Sequence, residues 1–391
     1  MSTAIAVALS LIFNTATGGK VELPALVNDL ADRDVVFLGE EHDNTAGHQM
    51  QLQIVRALHK KRPDLVVSME MFERDVQGIL GDYLRGRIDE DAFLKHSRPW
   101  GNYKKHYRAV VEYAKANGLD VIAANAPRRS ARKVAQGGGD LTAYVARTTS
   151  AVKDQYWELF KDAMKEHPGE ITEKGLTRMY EAQCMKDDTM AESIADYLQG
   201  RPHRQPLVVH LCGKFHSDYG LGTVVRLLRR RPLTTVGVVT MVAADDVKKQ
   251  ELAEHAAKGH FVLVVKAEPK PEKKPVAESA DSADADPKPV AKPDTDDPGE
   301  PAGLGIMPDY GSDDPGVLVS AVSEDGAAEK AGIKGGDLIV KIGKETVESL
   351  EDYMEVMGDL RAGETVKITV KRDGKDKAID VKLGVRRRQG N

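Results

Sequence analysis

The sequence predicts an α/β fold, a mostly parallel sheet covered by helices, followed by a small β-rich unit. Three observations carry this. Short apolar runs, among them Val35–Leu38, Leu65–Met69 and Leu207–Cys212, read as buried strands. Segments with apolar residues at helical spacing separate them, and strands alternating with helices argue a parallel sheet with both faces covered. Beyond a stretch rich in proline and charge, the composition turns to β-branched residues.

The chain opens on an apolar run, Ala4–Phe13, too short to span a bilayer. It has the character of a signal h-region, but no Lys or Arg precedes it, so the signal sequence is incomplete, and no anchor cysteine follows. Asn14–Lys20 is a turn cluster of hairpin type, and Leu23–Ala31 a short helix. The strand Val35–Leu38 runs into Gly39-Glu40-Glu41-His42. Met50, Ile54, Ala57 and Leu58 give a helix over Ala46–Lys61. Leu65–Met69 is a strand with Glu70 at its carboxyl end. Asp75–Arg85 and Asp89–Lys95 read as helical, Arg98–Tyr103 as a loop, and Tyr103–Asn117 as a helix stopped by Gly118. Asp120–Ala124 is a strand ending at Asn125, and Leu141–Leu198 is mostly helical with a break near Pro168-Gly169. The strand Leu207–Cys212 ends on Gly213-Lys214-Phe215-His216. A helix Leu221–Arg230 and strands Thr235–Met241 and Phe261–Val265 complete residues 1–265.

Lys266–Ala302 combines eight prolines with Lys, Glu, Asp, Ser and Ala and has no aromatic residue, the composition of a disordered linker. Gly303–Arg388 is the second unit. The 391 residues carry a net charge of -5, which argues against a nucleic-acid binder. No transmembrane segment is present in the hydropathy pattern. Cys184 and Cys212 form no Cys-x-x-Cys site, and Cys212 sits in an apolar run as a small core residue.

In open α/β sheets, chemistry collects at the carboxyl ends of strands. Glu40, Glu41, His42, Glu70, Asn125, His210 and His216 lie at or near such ends. Two strands each run into Gly-x-x-His, a pairing more specific than either copy alone. His42, Glu70 and His216 suit a divalent metal. Glu40, Glu41, His42, Glu70 and His216 equally suit a metal-free His–Glu pair that activates water. His210, inside its run, reads as a buried core histidine.

Phe37–His42, Met69–Arg74, Arg98-Pro99-Trp100 with Asn102-Tyr103, Ala124–Arg128 and Cys212–His216 together resemble the ChaN family of haem-binding uptake proteins in the Tiki superfamily. The similarity runs over Ile12–Val265 and implies a fold related to Tiki metallopeptidases and erythromycin esterases. In Tiki-like proteins the paired Gly-x-x-His motifs and a glutamate are the metal or catalytic groups, here His42, His216 and Glu70 with Glu40 or Glu41 beside them. ChaN-like proteins are associated with haem and iron at the bacterial envelope, so the resemblance implies an envelope or periplasmic location. Haem needs an axial ligand and basic groups for its propionates. Tyr103, His106 and Tyr107, with His96, are candidates for the first, and Arg98 and Arg128, with Arg129, for the second. No Cys-x-x-Cys-His exists to attach haem covalently.

Gly303-Leu304-Gly305-Ile306, Ala331-Gly332-Ile333 with Gly336-Asp337-Leu338-Ile339, and a helix over Ser349–Leu360 resemble a bacterial PDZ domain of the kind appended to secreted proteases. The resemblance implies that a C-terminal peptide or envelope protein meets the N–H groups of Leu304, Gly305 and Ile306, with Ile306, Met354 and Met357 lining the pocket. Pro308 has no N–H to continue the ladder. Two functions follow: an envelope protein that binds haem or iron, with a PDZ module for peptide contacts, or a Tiki-like metal-dependent hydrolase acting on peptides.

Overall fold

The computed structural model describes residues 10–135, 137–138, 143–165, 172–201, 203, 205–268, 302–308, 316–323, 325–347, 352–353, 356–357, 360–372 and 374–385. The chain divides into two units, Met1–Glu268 and Pro269–Asn391.

The first unit is built on an eight-stranded sheet. Its strands are β1 (Ser10–Asn14), β2 (Lys20–Val21), β3 (Val35–Glu40), β4 (Val66–Glu73), β5 (Val121–Asn125), β6 (Val208–Gly213), β7 (Val236–Ala244) and β8 (Phe261–Lys266), in the order β2-β1-β8-β7-β3-β6-β4-β5. β3 to β8 are mutually parallel, and β1 returns antiparallel to β8 and pairs with β2 as a hairpin. Every residue of β3 is buried. Val36 and Leu38 pack with Leu26, Ile54 and Leu58 on one face, while Val35 and Phe37 pack with Met190 and Ile194 on the other. That double burial is why the strands read as unbroken apolar runs.

Helices α1 (Leu23–Leu30), α2 (Thr45–Lys61), α3 (Gln77–Leu84), α4 (Glu90–Ser97), α5 (Arg108–Ala116), α6 (Arg128–Ala135), α7 (Gln155–Met164), α8 (Glu173–Gln199) and α9 (Thr223–Arg230) connect the strands. Asn44 caps α2 by accepting the N–H of Gly47 at 2.7 Å. The expected helix from Tyr103 begins instead as a π-helical turn, Tyr103–Tyr107, before α5.

Three expectations are corrected. Ser10–Phe13 is not a free signal core: it pairs along β8, with Ile12 and Phe13 buried. Residues 1–9 lie outside the described residues. Residues 143–154 are not helical, because side chains of α8 take their backbone donors. Thr189 accepts from Ala146, Glu192 from Arg147 and Asp188 from Ser150. The break expected near Pro168-Gly169 lies outside the described residues. The linker starts later than Lys266, since Lys266 ends β8, its carbonyl accepts from Asn44, and Glu268 accepts the N–H of Thr45 at 2.6 Å. Residues 269–301 lie outside the described residues.

β5 closes one edge of the sheet. Gln77, at the start of α3, lies against it with its amide in the pose of a neighbouring strand: Nε2 donates to the Val121 carbonyl at 2.9 Å and Oε1 accepts the Ala123 N–H at 2.8 Å.

The second unit is an antiparallel sheet in the order β10-β11-β12-β14-β15, from Ile306–Pro308, Val317–Val322, Leu338–Ile342, Thr365–Arg372 and Lys375–Lys382. β13 (Glu345–Thr346) pairs with β12, and β9 (Ala302–Gly303) pairs with β16 (Gly384–Val385). The short helix α10 (Ala327–Ala331) ends on Gly332 at φ 84°, where only glycine is unstrained. Arg372 grips buried Asp337 with two bonds of 2.6 Å. Met357, expected to line the pocket, is 8% exposed in the core of this unit, and the side chain of Leu304, expected to offer only its N–H, is buried in the same core at 1%. Ile306 is half-buried on the edge strand. Met354 and most of the expected helix Ser349–Leu360 lie outside the described residues.

Candidate functional site

The carboxyl ends of β3, β4, β5 and β6 converge on a crevice of about 300 Å³. It is lined by His42, Glu70, Trp100, Asn125, Arg128 and His216, with Glu73, Gln183 and Lys186.

The two Gly-x-x-His segments make room for one another. β3 and β6 are neighbours in register, Gly39 beside Cys212 and Glu40 beside Gly213. A Cβ at Gly39 would stand 2.7 Å from Ser217 Oγ and 2.9 Å from Lys214 Cα. A Cβ at Gly213 would stand 2.7 Å from His42 Nε2. Gly39 is therefore required by the turn of the opposite motif, and Gly213 leaves room for the His42 ring.

His216 is buried in the floor. Its Nδ1 lies 2.7 Å from Asp187 Oδ1 and its Nε2 3.3 Å from Glu70 Oε1. Burial alone would lower its pKa, but the charges of Glu70 and Asp187 push it up to about 10, so it is an imidazolium. Burial would raise Glu70, but His216, His42 and the Gly213 N–H, which donates at 2.7 Å, hold it well below the usual carboxylate range. Asp187 also accepts from Tyr156 at 2.7 Å and Thr223 at 2.8 Å.

His42 sits at the mouth, its side chain 42% exposed. Nδ1 is 2.9 Å from Glu40 Oε1. Glu40 is fully buried and is fixed in turn by Tyr107 Oη at 2.7 Å and Gln51 Nε2 at 2.5 Å. Burial would lower the His42 pKa, but the bond to Glu40 and the charge of Glu70 leave it above its ordinary value. Trp100 meets the His42 ring edge-on at 4.9 Å, and Asn102 donates to the His42 carbonyl at 3.0 Å.

A family described as haem-binding uptake, Tiki superfamily, ChaN matches residues 26–227. The chain belongs to the ChaN family. A PDZ domain matches residues 289–383. The fold is similar to a Campylobacter jejuni structure described as cofacial heme binding to ChaN, with a TM-score of 0.52 and 22% identity over 66% of this chain and 98% of that one. Curated relatives share a shorter stretch. The Do-like serine protease HtrA of Lactobacillus helveticus is 40% identical over 68 residues, 17% of this chain and 16% of the protease. A DegP-like periplasmic endoprotease of Marinomonas is 38% identical over 71 residues, 18% and 15% of the two chains. This chain thus spans about a sixth of the length of those relatives.

Within this ChaN unit the residues singled out from sequence separate into three groups. Glu40, His42, Glu70 and His216 come together as expected, and Asn125 joins them on the crevice wall. Glu41 turns to Lys214, with which it forms an ion pair. His210 is a core residue: fully buried, 2.9 Å from Ser68 Oγ through Nδ1, its pKa lowered to about 4 by burial. The metal assignment to His42, Glu70 and His216 finds no support: both nitrogens of His216 face carboxylates, and among the described residues no three His, Cys, Asp or Glu side chains are placed to hold a metal ion.

The candidate axial ligands Tyr103, His106 and Tyr107 are not among the residues lining the crevice. Tyr103 and Tyr107 are 2% and 0% exposed, the first among Phe72 and Phe93, the second bonded to Glu40. His106 is 4% exposed and packs on His48. Arg98 and Arg128 do reach the rim, half exposed, where Arg98 bridges Glu73 at 2.8 Å and Asp75 at 2.7 Å. Asp187 and Gln51, which hold His216 and Glu40, are not singled out by the sequence pattern. The signal for Asp187 was available: a carboxylate between Cys184-Met185 and Met190-Ala191 in a long helix cannot face water if its neighbours are buried.

Proposed function

We propose that the chain binds haem or iron at the mouth of this crevice and uses its PDZ unit to hold a peptide C-terminus or an envelope protein. Membership of the ChaN family supports the first part. The observation that carries it is His42, an imidazole at the crevice mouth whose Nδ1 is held by buried Glu40. A carboxylate on Nδ1 fixes the tautomer that keeps a lone pair on Nε2, the arrangement ligating histidines use. Trp100 offers a ring beside it, and Arg128 offers a cation. These residues fit the group at its edge; the buried tyrosines do not. When bound, haem would supply the iron centre, while Glu40, Tyr107 and Gln51 keep His42 oriented.

Titration with haemin tests this. The chain should give a saturable Soret shift that His42→Ala loses. An unchanged titration in that variant, or no saturable shift in the parent, sinks the reading.

For the second unit, β10 is an edge strand, so an added peptide strand would lie along it. Pro308 removes one donor from that edge. Recognition is therefore restricted to the last one or two residues of the peptide. A C-terminal peptide library checks this, and strong selection at the third-from-last position would contradict it. We place the protein in the cell envelope on the family resemblance; among the described residues, no helix is long and apolar enough to cross a membrane.

A further inference from the structure

Two carboxylates line the crevice, and both are held. Glu70 has His216 and the Gly213 N–H. Glu73 has Arg98 at 2.8 Å and Arg128 at 3.7 Å. Two donors on the same wall are not held. Lys186, on α8, is half-buried there and makes no hydrogen bond or ion pair among the described residues. Asn125, 8% exposed, accepts the Ala126 N–H through Oδ1 at 2.8 Å, and its Nδ2 has no acceptor among the described residues. Each donor is open to an acceptor that enters the crevice.

We propose that Lys186 and the Asn125 amide form a carboxylate-recognition subsite in the crevice. An ammonium and a neutral amide together suit a monoanion with two oxygens. A phosphate dianion would bring its second charge against Glu70 and Glu73, so this pair of donors favours the monoanion. The carboxylate could belong to a porphyrin propionate or to a free organic acid. This rests on the haem reading only for the first source, and the test therefore uses ligands without iron.

The full chain is titrated with metal-free protoporphyrin IX, with its dimethyl ester and with glutarate. Removing a hydrogen bond to a charged group costs about tenfold in affinity. Lys186→Met should lose that much for the diacid porphyrin, Lys186→Arg should restore most of it, and the dimethyl ester should bind all three proteins alike. Asn125→Leu should weaken the diacid in the same direction, with thermal unfolding as the check that it folds. If glutarate binding falls in Lys186→Met while porphyrin binding does not, the subsite stands and its ligand is a free organic acid. That outcome holds even if haemin fails to bind. If neither carboxylate ligand is weakened by Lys186→Met, the subsite is disproved.

Discussion

The same four-residue pattern, Gly-x-x-His, follows β3 and β6, and the two histidines end in opposite circumstances. His216 is buried between two carboxylates and holds its proton, whereas His42 lies at the mouth with one carboxylate behind it. The strand and its glycine place each histidine at the crevice, but neither decides its state. That comes from what covers it: α8 lays Asp187 over His216, while only the edge of Trp100 meets His42. One motif has thus yielded a structural ion pair and an available imidazole.

The sharpest way to break this contrast is to remove Asp187. Asp187→Ala leaves His216, Tyr156 and Thr223 without their acceptor in a buried site, and breaking such a pair costs ~3–5 kcal/mol. Chemical denaturation should show that loss. Gly39→Ala comes next. Its methyl meets the Lys214 backbone, which cannot swing away as a side chain can, and overpacking of this kind costs ~1–3 kcal/mol.

Titration sharpens the contrast further. The folded pKa of His216 is raised from 6.5 to about 10. Its stabilisation is therefore fully present below 6.5 and is lost as the pH rises through about 10. Glu70 is depressed and acts in the opposite sense, its contribution lost only as the pH falls below the ordinary value of 4.5. The thermal midpoint should fall between pH 6.5 and 10, and His216→Gln should flatten that limb. A midpoint independent of pH in this window would show that His216 is not an imidazolium. The smallest effect on stability belongs to His42→Ala, which removes one of several bonds to Glu40 and should cost ~1 kcal/mol. A loss as large as that of Asp187→Ala would erase the distinction between the two histidines.

The strands of the sheet were legible because both of its faces are covered, so Val35–Leu38 and Leu207–Cys212 contain almost nothing but apolar residues. The crevice residues at their ends were legible for the same reason. What could not be read was state and direction. Tyr103 and Tyr107 look from sequence like residues of a ligand loop, yet the π-helical turn that carries them rotates both rings inward. Residues 143–154 carry helical composition, but their donors are claimed by side chains more than thirty residues away, which no local pattern encodes. Asp187 becomes legible only once Cys184, Met185, Met190 and Ala191 are known to be buried, because a helix buried around most of its circumference has no polar face against which an inward carboxylate stands out.

Gln77 carries a consequence of its own. A parallel sheet that ends in bare backbone invites another chain to continue it, and its neighbours in solution are copies of itself. Here two hydrogen-bonding positions of the last strand are filled by a side chain that has no backbone to pass the pattern on. Growth from that margin meets an amide where it needs a strand.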